Sequence, residues 1–388
     1  LDYPVFTRKA YTDVSYLACA KKMLANTDVF YPMFATHNAR TVASILEIAG
    51  TYKDYEFQCL HGMGSTLYDQ IVGSSSDIDI PCRVYAPVGT HKHLLAYLVR
   101  RLLENGANSS FVNQVLDTTL SIEDMIRDPI AQAEDFELKP HPHIPLPRNL
   151  YGDNRMNAQG LDLSNPKILT QLMNQLHEVS NEQWLAVSMT SNTNTTQGNE
   201  HPLFNPSNTK EQIGQAIKLN ENQIENAIIA AEQAFDSFSK TKASERAQML
   251  RRLADLLEDN MPRFMAIAIR EAGKTIPNAI GEVREAIDFC RYYANECERH
   301  FSEPLKFQGI TGETNHMEMR GRGIMVCISP WNFPLAIFLG QVAAALVTGN
   351  TVVAKPAEQT PLIATRAVQL FHQAGIPGDV LHLLLGRG

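Results

Sequence analysis

The sequence contains little cysteine, and its cysteines are not paired. Six cysteines and two tryptophans occur among 388 residues, and no two cysteines form a CxxC arrangement. Structural zinc sites and disulfide-stapled secreted domains both need closely spaced or numerous cysteines, so both classes are disfavoured. We expect reduced, mostly buried thiols and a cytoplasmic protein.

A membrane-length hydrophobic run and an excess of positive charge are also missing. The longest apolar stretch, 333–347, is interrupted by Gln341 and is shorter than the roughly 20 residues that span a bilayer. Acidic residues outnumber Lys and Arg by 42 to 34, which gives a net charge of −8. DNA binding by these residues is therefore not expected, and small molecules or proteins are the expected partners.

The two ends of the sequence predict a longer parent protein. The sequence begins at Leu1 with neither an initiator Met nor a signal-peptide pattern, and it ends on Gly-Arg-Gly. The length allows two to four domains at roughly 100–200 residues each. We expect both ends to have been cut from a longer protein.

Three regions differ in their hydrophobic pattern. Residues 1–116 alternate strand-type and helical runs, which is typical of βα repetition. Residues 117–209 contain Pro and Asn clusters with one helix at 166–179, so we predict a linker and connecting segment. Residues 210–388 form the third predicted domain, which begins with helical periodicity and ends in a β-α-β-α-β pattern.

The first region predicts about half of a barrel. Its predicted elements are strands 29–36, 55–60 and 82–86 and helices 12–25, 39–50, 65–72 and 92–105. Polar residues follow the strand ends, as they do on the catalytic face of a (β/α)8 barrel. Because only about half of the eight units are visible, we predict the C-terminal part of such a barrel.

The third region predicts a nucleotide-binding sheet that lacks the usual fingerprint. Its predicted helices are 221–239, 244–273 and 278–300, followed by strand 323–328, helix 335–347, strand 351–354, helix 361–374 and strand 380–385. The ligand of such a sheet lies beyond the carboxyl ends of the strands. The G-x-G-x-x-G motif is missing from the first turn, so an unusual mode of pyrophosphate binding is expected.

Two adjacent arginines, Arg100 and Arg101, stand in an apolar helical context. Neighbouring helix positions point about 100° apart, so at least one of the two should face something buried. The planar guanidinium suits a carboxylate or phosphate, and Tyr97 lies near enough to share the site. The alternative is an ordinary salt bridge between helices.

Three histidine-containing strings have two interpretations each. Thr36-His37-Asn38 follows a strand, where it could bind a cofactor or simply form a turn. His91-Lys92-His93 and His141-Pro142-His143 resemble metal ligands in composition, but no carboxylate or cysteine cluster accompanies them. Loop or helix-cap roles are therefore favoured, and no metal site is predicted.

Two turns after strands of the third region carry polar side chains. The string 330–334, Pro-Trp-Asn-Phe-Pro, places Asn332 where a βα turn opens toward a ligand, and an amide donor there suits a developing oxyanion. A proline-bounded turn with a packing tryptophan is the alternative. Lys355 and Glu358 follow the next strand, where such a pair can bracket a ribose hydroxyl.

These strings carry a resemblance to known families. Residues 328–334 and 354–361 resemble the nicotinamide-cofactor domain of the aldehyde dehydrogenase superfamily, whereas 31–38, 57–64, 83–90 and 97–101 resemble the flavin-dependent proline dehydrogenase barrel. The two sets of strings, in this order along one chain, resemble the bifunctional proline utilization A family. Residues 140–147 are also similar to that family. The implied fold is α/β, the C-terminal part of a (β/α)8 barrel followed by the N-terminal part of an aldehyde-dehydrogenase-type Rossmann domain.

The resemblance implies a role for each matching residue. The residues that would bind proline are Leu60, Tyr85, Tyr97, Arg100 and Arg101. Those that would contact FAD are Thr7, Arg8, Lys9, Thr36, His37, Asn38, Gln58, Cys59, Leu60, Glu104, Ser110 and Phe111. Those that would hold NAD are Ile328, Ser329, Trp331, Lys355 and Glu358. Asn332 would be catalytic, as the side-chain half of the oxyanion hole.

The implied activity is the oxidation of L-proline to L-glutamate in two steps. FAD-dependent oxidation would give pyrroline-5-carboxylate, and NAD-dependent oxidation of glutamate semialdehyde would follow, with channelling between the sites. A quinone would accept the electrons, with possible peripheral contact at the inner face of the membrane, and a homo-oligomer is expected. The open alternatives are a monofunctional NAD-dependent aldehyde dehydrogenase with a degenerate barrel and a non-catalytic scaffold segment.

The chain also departs from the family pattern. The nucleophilic cysteine, the general-base glutamate and several flavin residues have no match here, and we expect them outside 1–388, so that this stretch alone would be inactive. Leu385 stands where the family usually has proline.

Overall fold

The computed structural model describes residues 3–73, 78–107, 110–117, 119–180, 182–191, 193–194 and 200–386. The chain divides into two compact units, Tyr3–Ile144 and Pro145–Gly388, which we call the N-terminal unit and the C-terminal unit. Among the described helices, none has both the length and the apolar character that crossing a membrane requires.

The N-terminal unit is built on a three-stranded parallel sheet. In chain order its elements are α1 (Lys9–Leu24), β1 (Met33–Ala35), α2 (Ala39–Ala49), β2 (Glu56–Leu60), α3 (Ser65–Tyr68), β3 (Cys82–Tyr85), α4 (His91–Gly106), α5 (Phe111–Leu116), α6 (Ile122–Met125) and α7 (Pro129–Asp135). The strands lie in the order β1-β2-β3, and both pairings are parallel. Their carboxyl ends therefore meet at one edge.

Aromatic side chains form the core of this sheet. The ring of Phe57 lies 6.4 Å from that of Phe34, 5.7 Å from that of Tyr55 and 5.9 Å from that of Tyr68. All four side chains are buried, and tilted or edge-on ring pairs add about 0.5–1.5 kcal/mol beyond area burial. This packing fixes the strands that present the polar residues of the edge.

The first strand is shorter than its sequence predicts. Residues 29–36 were expected to be extended, but β1 covers only Met33–Ala35. Val29 and Phe30 donate backbone hydrogen bonds to the carbonyl of Asn26, so the turn after α1 retains them despite their β-propensity. The parallel strands confirm the βα repetition, while closure into a barrel stays a prediction.

The C-terminal unit holds most of the regular structure. In chain order its elements are α8 (Pro166–Ser180), β4 (Trp184–Val187), β5 (Met189–Thr190), β6 (Thr193–Asn194), β7 (Glu200–Asn205), β8 (Asn208–Ile217), α9 (Glu221–Ser239), α10 (Ala243–Asp259), α11 (Met261–Ala272), α12 (Ile276–Phe301), β9 (Leu305–Phe307), β10 (Asn315–Met317), β11 (Ile324–Ile328), α13 (Ala336–Val347), β12 (Thr351–Lys355), α14 (Pro361–Gln373) and β13 (Leu381–Leu383).

Its main sheet has the order β11-β12-β13-β5-β6, and smaller sheets have the orders β4-β8-β7 and β10-β9. Strands β11, β12 and β13 are parallel, and α13 and α14 connect them. This confirms the predicted β-α-β-α-β pattern.

The segment 117–209 contains more structure than expected. Its predicted helix is present as α8, but β4 to β7 and the start of β8 also lie within it. Pro202 in β7 argues against a strand, and the structure accommodates it because β7, among the described strands, lies at the sheet edge beside β8. Part of the Asn-rich string 191–196 lies outside the described residues.

The predicted helix 244–273 is in fact two helices. α10 ends at Asp259 and α11 begins at Met261, with Asn260 between them. Pro262 stands in the first turn of α11, where its missing N–H costs nothing, whereas it would break a helix interior. The apolar periodicity continues across the junction, which is why the sequence reads as one helix.

Candidate active sites at two strand edges

A polar cavity lies at the carboxyl ends of β1 to β3 in the N-terminal unit. Its volume is about 200 Å³, and its lining residues are Ala35, Thr36, His37, Gln58, Leu60, Met63, Tyr85, Arg101 and Glu104. The strand register places Ala35 beside Gln58 and Leu60 beside Tyr85. Seven of these nine residues are predicted site residues, and only Ala35 and Met63 were missed.

The loop that carries His37 is held by several hydrogen bonds. The His37 Nε2 accepts a hydrogen bond from the Leu60 N–H at 3.2 Å, and burial lowers the pKa of His37. The Tyr68 hydroxyl donates to the Thr36 carbonyl at 2.6 Å, while the Asn38 side chain caps α2. Because Nε2 accepts, the ring is neutral and its other nitrogen carries the proton.

Gly64 makes room for this imidazole. Its φ of +72° is strained for other residues, and a Cβ at this position would lie 3.0 Å from the His37 ring. A side chain at position 64 would therefore crowd the His37 ring and strain the backbone.

Arg101 faces the cavity with its charge partly satisfied. Its guanidinium binds both Glu104 carboxylate oxygens, at 2.8 Å and 2.7 Å, and lies 5.2 Å from the Tyr97 ring centroid. Its Nε is buried without a hydrogen-bond partner among the described residues. The salt bridge is therefore within α4 and not between helices, and the role of Arg101 in proline binding stays a prediction.

The preceding residue, Arg100, is exposed and does not line the cavity. Its proline-binding role stays a prediction.

Across the cavity, burial and the neighbouring Tyr97 raise the pKa of Tyr85, so its hydroxyl stays protonated.

An ion pair between the buried Glu56 and the exposed Arg83, which the sequence analysis missed, orients Gln58. Arg83 donates to both Glu56 oxygens, at 2.8 Å and 2.7 Å, and Gln58 Nε2 donates to Glu56 Oε1 at 3.0 Å. These donors lower the pKa of Glu56 to about 2. The Gln58 amide thus keeps a fixed direction at the cavity wall.

Other predicted flavin residues lie elsewhere in the N-terminal unit. Thr7 accepts a hydrogen bond from the His141 N–H at 2.9 Å, and Arg8 donates to the Lys139 carbonyl at 3.0 Å. Lys9 pairs with Asp13. These three side chains bind other residues of the N-terminal unit and do not line the cavity. Their cofactor roles therefore stay predictions.

Three further positions also stay predictions for flavin binding. The Cys59 side chain is only 4% exposed and packs in the aromatic core, so only its backbone is available at the edge. Ser110 caps α5, which begins at Phe111. None of the three lines the cavity.

In the C-terminal unit, the turns after β11 and β12 leave the same edge of the sheet. Ile328 pairs with Lys355 in register, and the Ser329 N–H donates to the Lys355 carbonyl at 3.2 Å. The Ser329 and Thr360 hydroxyls are buried without a partner among the described residues. Buried polar groups without partners are uncommon and point to a ligand or water.

The exposed part of this edge carries the other predicted residues. Ile328 and Trp331 are 63% and 56% exposed, and Asn332 and Glu358 are exposed as well. Lys355 is half-buried, and its Nζ lies 3.4 Å from the Pro356 carbonyl. The structure thus brings the predicted NAD-binding residues and Asn332 to two adjacent turns.

Two buried carboxylates already occupy the helix N-termini at this edge. Glu282 accepts hydrogen bonds from the Leu335 and Ala336 N–H groups, at 2.8 Å and 3.4 Å. Glu271 accepts from the first two N–H groups of α14 beyond its proline, at 2.6 Å and 3.1 Å. In many nucleotide-binding sheets these N–H groups bind the pyrophosphate. The missing glycine fingerprint therefore agrees with the structure, in which glutamate side chains bind the N–H groups that would otherwise hold a pyrophosphate.

The three cysteines of the C-terminal unit are poor nucleophiles. Burial raises the pKa of Cys327 to about 11, and it also raises the pKa of Cys290 and Cys297. Because the thiolate is the reactive form, these thiols are inert near neutral pH.

Comparison with known proteins matches both units. Residues 193–388 match the aldehyde dehydrogenase family, and residues 1–114 match the proline dehydrogenase family. The bifunctional protein PutA of Klebsiella aerogenes is 49% identical over 397 aligned residues, which cover all of this chain and 29% of that protein. A 1-pyrroline-5-carboxylate dehydrogenase of Anoxybacillus flavithermus is 41% identical over 185 residues, which cover 48% of this chain and 36% of that protein.

A solved structure gives the same match. The crystal structure of a proline utilization A variant of Bradyrhizobium japonicum covers the whole chain with a TM-score of 0.73 and 45% identity, and the matched part is 36% of that chain. The chain thus spans about a third of the length of the relatives that it matches from end to end. Its first 114 residues match the proline dehydrogenase family, and along its whole length it is similar to bifunctional PutA proteins. The chain belongs to the aldehyde dehydrogenase family.

Proposed function

We propose that this chain is part of a bifunctional oxidoreductase that oxidises L-proline with FAD and then glutamate semialdehyde with NAD. The observation that carries the proposal is the cavity of the N-terminal unit, in which seven predicted flavin and proline residues converge. The relatives named above, bifunctional PutA proteins and a 1-pyrroline-5-carboxylate dehydrogenase, support the pairing of the two activities.

In the N-terminal unit, we assign carboxylate binding to Arg101. Its fork already binds one carboxylate, that of Glu104, which is the geometry that a proline carboxylate needs. Leu60 and Tyr85 line the same cavity and would contact the proline ring. Tyr97, beneath the guanidinium, and Arg100 complete the proposed proline site.

The flavin would bind at the same cavity. Its donor set fits a planar polar group, because Gln58 and His37 are held in fixed directions by Glu56 and Leu60. FAD, when bound, supplies the acceptor for the hydride that leaves proline. The chain contributes mainly position, since a rigid cavity holds the ring close to the acceptor. We extend the same proposal to Thr36, Asn38, Cys59 and Glu104, and also to Thr7, Arg8, Lys9, Ser110 and Phe111.

In the C-terminal unit, we assign NAD binding to the turns after β11 and β12. The unpartnered Ser329 hydroxyl and the Lys355 ammonium fit the hydroxyls of a nucleotide, and Ile328, Trp331 and Glu358 lie in the same two turns. NAD, when bound, supplies the hydride acceptor for the semialdehyde. The Asn332 amide would donate a hydrogen bond to the oxyanion of the attacked aldehyde. Because the cysteines of this unit are inert, we assign none of them as the nucleophile.

The proposed setting follows from these substrates. We propose a cytoplasmic protein, with possible peripheral membrane contact where a quinone reoxidises the flavin. We also propose a homo-oligomer in which the intermediate passes between the sites by channelling.

The test uses the protein expressed from its complete reading frame. We expect a bound flavin spectrum that L-proline bleaches without air, and bleaching that D-proline does not produce. A protein that binds no flavin, or whose flavin L-proline leaves oxidised, would contradict the first activity and would favour a monofunctional aldehyde dehydrogenase.

A further inference from the structure

Lys274 occupies an unusual place between a buried carboxylate and the turn that carries Asn332. Its Nζ lies 3.2 Å from Glu282 Oε2 and 4.1 Å from the centroid of the Phe333 ring. Phe333 directly follows Asn332 in the chain. One ammonium group therefore touches both the buried framework of the C-terminal unit and the exposed turn.

The backbone fixes the start of the Lys274 side chain. Gly273 ends α11 in the left-handed conformation, with φ of +66°, and the Lys274 N–H donates to the Ala268 carbonyl at 3.3 Å. The Gly273 N–H donates to the same carbonyl, so two backbone hydrogen bonds hold the end of α11. The Lys274 side chain is only 13% exposed, so few other orientations are open to it.

Glu282 fixes the other end of the contact. Its side chain is 1% exposed, and one oxygen accepts the backbone hydrogen bonds that begin α13. Burying a carboxylate is costly unless cations and hydrogen-bond donors lie beside it. Lys274 supplies the cation, and the helix N-terminus supplies the donors.

The turn itself is anchored at both ends. At its start, the Ser329 N–H binds the Lys355 carbonyl, and at its end, Glu282 binds Leu335. Between these points Trp331, Asn332 and Phe333 are all exposed. The Lys274 contact with Phe333 lies in the middle of the turn, next to the amide that would face the oxyanion.

We propose that Lys274, held by Glu282, is a positioning residue for Asn332 in aldehyde oxidation. The proposal rests on the aldehyde oxidation proposed above. The ammonium lies over the Phe333 ring face, which attracts cations, and thereby holds the neighbouring amide in the direction that the oxyanion requires. Such preorganised donors contribute in the transition state and little to substrate binding.

The test is a set of kinetic measurements on the protein from its complete reading frame, with glutamate semialdehyde and NAD. We expect Lys274→Met to lower kcat about 3- to 30-fold, with the NAD dissociation constant unchanged, because cation–π contacts have this size. Lys274→Arg keeps a cation over the ring and should restore most of the rate. Phe333→Leu removes the ring face, leaves the ion pair intact, and should lower kcat in the same range.

A double-mutant cycle with Asn332→Ala separates a positioning role from a structural one. If Lys274 acts through Asn332, adding Phe333→Leu or Lys274→Met to Asn332→Ala lowers kcat no further. Losses that multiply, or a kcat that none of the Lys274 and Phe333 variants changes, would overturn the proposal. Lys274→Met leaves Glu282 buried and unpaired, so this variant can fail to fold. In that case Phe333→Leu and Lys274→Arg distinguish the positioning role from a structural one.

The proposed function fails in a different way. It fails when the unmodified protein oxidises no aldehyde, or when Asn332→Ala alone leaves kcat unchanged. The positioning role fails when the unmodified protein and Asn332→Ala behave as expected but the cycle is additive.

Discussion

Replacing Arg101 by methionine should impair proline oxidation without unfolding the N-terminal unit. Methionine keeps much of the apolar volume but loses the guanidinium that binds Glu104 at 2.7 Å and 2.8 Å. The Glu104 side chain is 56% exposed, so the carboxylate that loses its partner stays in water, and an exposed pair of this kind stabilises a protein by at most about 1 kcal/mol. The cost should therefore appear in substrate binding.

The size of the effect follows from the bond that the substrate would lose. A hydrogen bond to a charged group is worth about 1.5–3 kcal/mol, so loss of the fork should lower kcat/KM for L-proline roughly 10- to 150-fold. Arg101→Lys keeps the charge but not the bidentate geometry, and we expect an intermediate loss. The assay is proline:dye reduction at varied proline, with semialdehyde oxidation measured on the same samples.

Lys92→Met is the matched control, because Lys92 lies on the same helix, is exposed and does not line the cavity. It should leave both activities unchanged. Unchanged proline kinetics in Arg101→Met, with the flavin still bound, would show that the arginine serves only α4 and would refute the reasoning.

Two further predictions concern other carboxylates. Glu358→Gln should narrow the preference for NAD over NADP in kcat/KM, because a carboxylate beside the ribose disfavours a 2′-phosphate. Lys355→Met should weaken the binding of both cofactors. An unchanged ratio of the two kcat/KM values in Glu358→Gln would mean that Glu358 serves only the turn. Glu56 has its pKa lowered to about 2 by Arg83 and Gln58, so its stabilisation is complete above the unfolded-state pKa and is lost as the pH falls from about 5 toward 2. The protection factors of the β2 amides, which are corrected for the intrinsic exchange rate at each pH, should fall over that range in the unmodified protein and less steeply in Glu56→Gln, and parallel pH profiles would contradict this.

The sheet strands that position both sites could be predicted because each is a short, largely apolar run that turn residues follow. β12, Thr351–Lys355, is an example, since four of its five residues are buried and turns bound it on both sides. β7 could not be predicted, because its proline is tolerated only at a sheet edge, and edge position is set by tertiary pairing.

The site was predictable where a residue's role depends on its place after a strand. Thr36 and His37 were found in this way, whereas Leu60 and Tyr85 were named only through the family resemblance. Glu282 was missed because its role depends on the helix packed against it, although one signal was present: it falls on the apolar face of α12, between Ala279 and Ala286, both fully buried. A carboxylate at such a position predicts a buried partner.

The most direct test of the central claim is a coupled assay in a single purified protein from the complete reading frame. L-proline, a quinone analogue and NAD are supplied together, and NADH formation is followed. Our account predicts that NADH formation depends on proline and on the quinone analogue. Arg101→Met should slow it severely, and Asn332→Ala should suppress it while semialdehyde accumulates. NADH formation from added semialdehyde, with no proline consumed under any condition, would contradict the claim that this chain contributes to both activities.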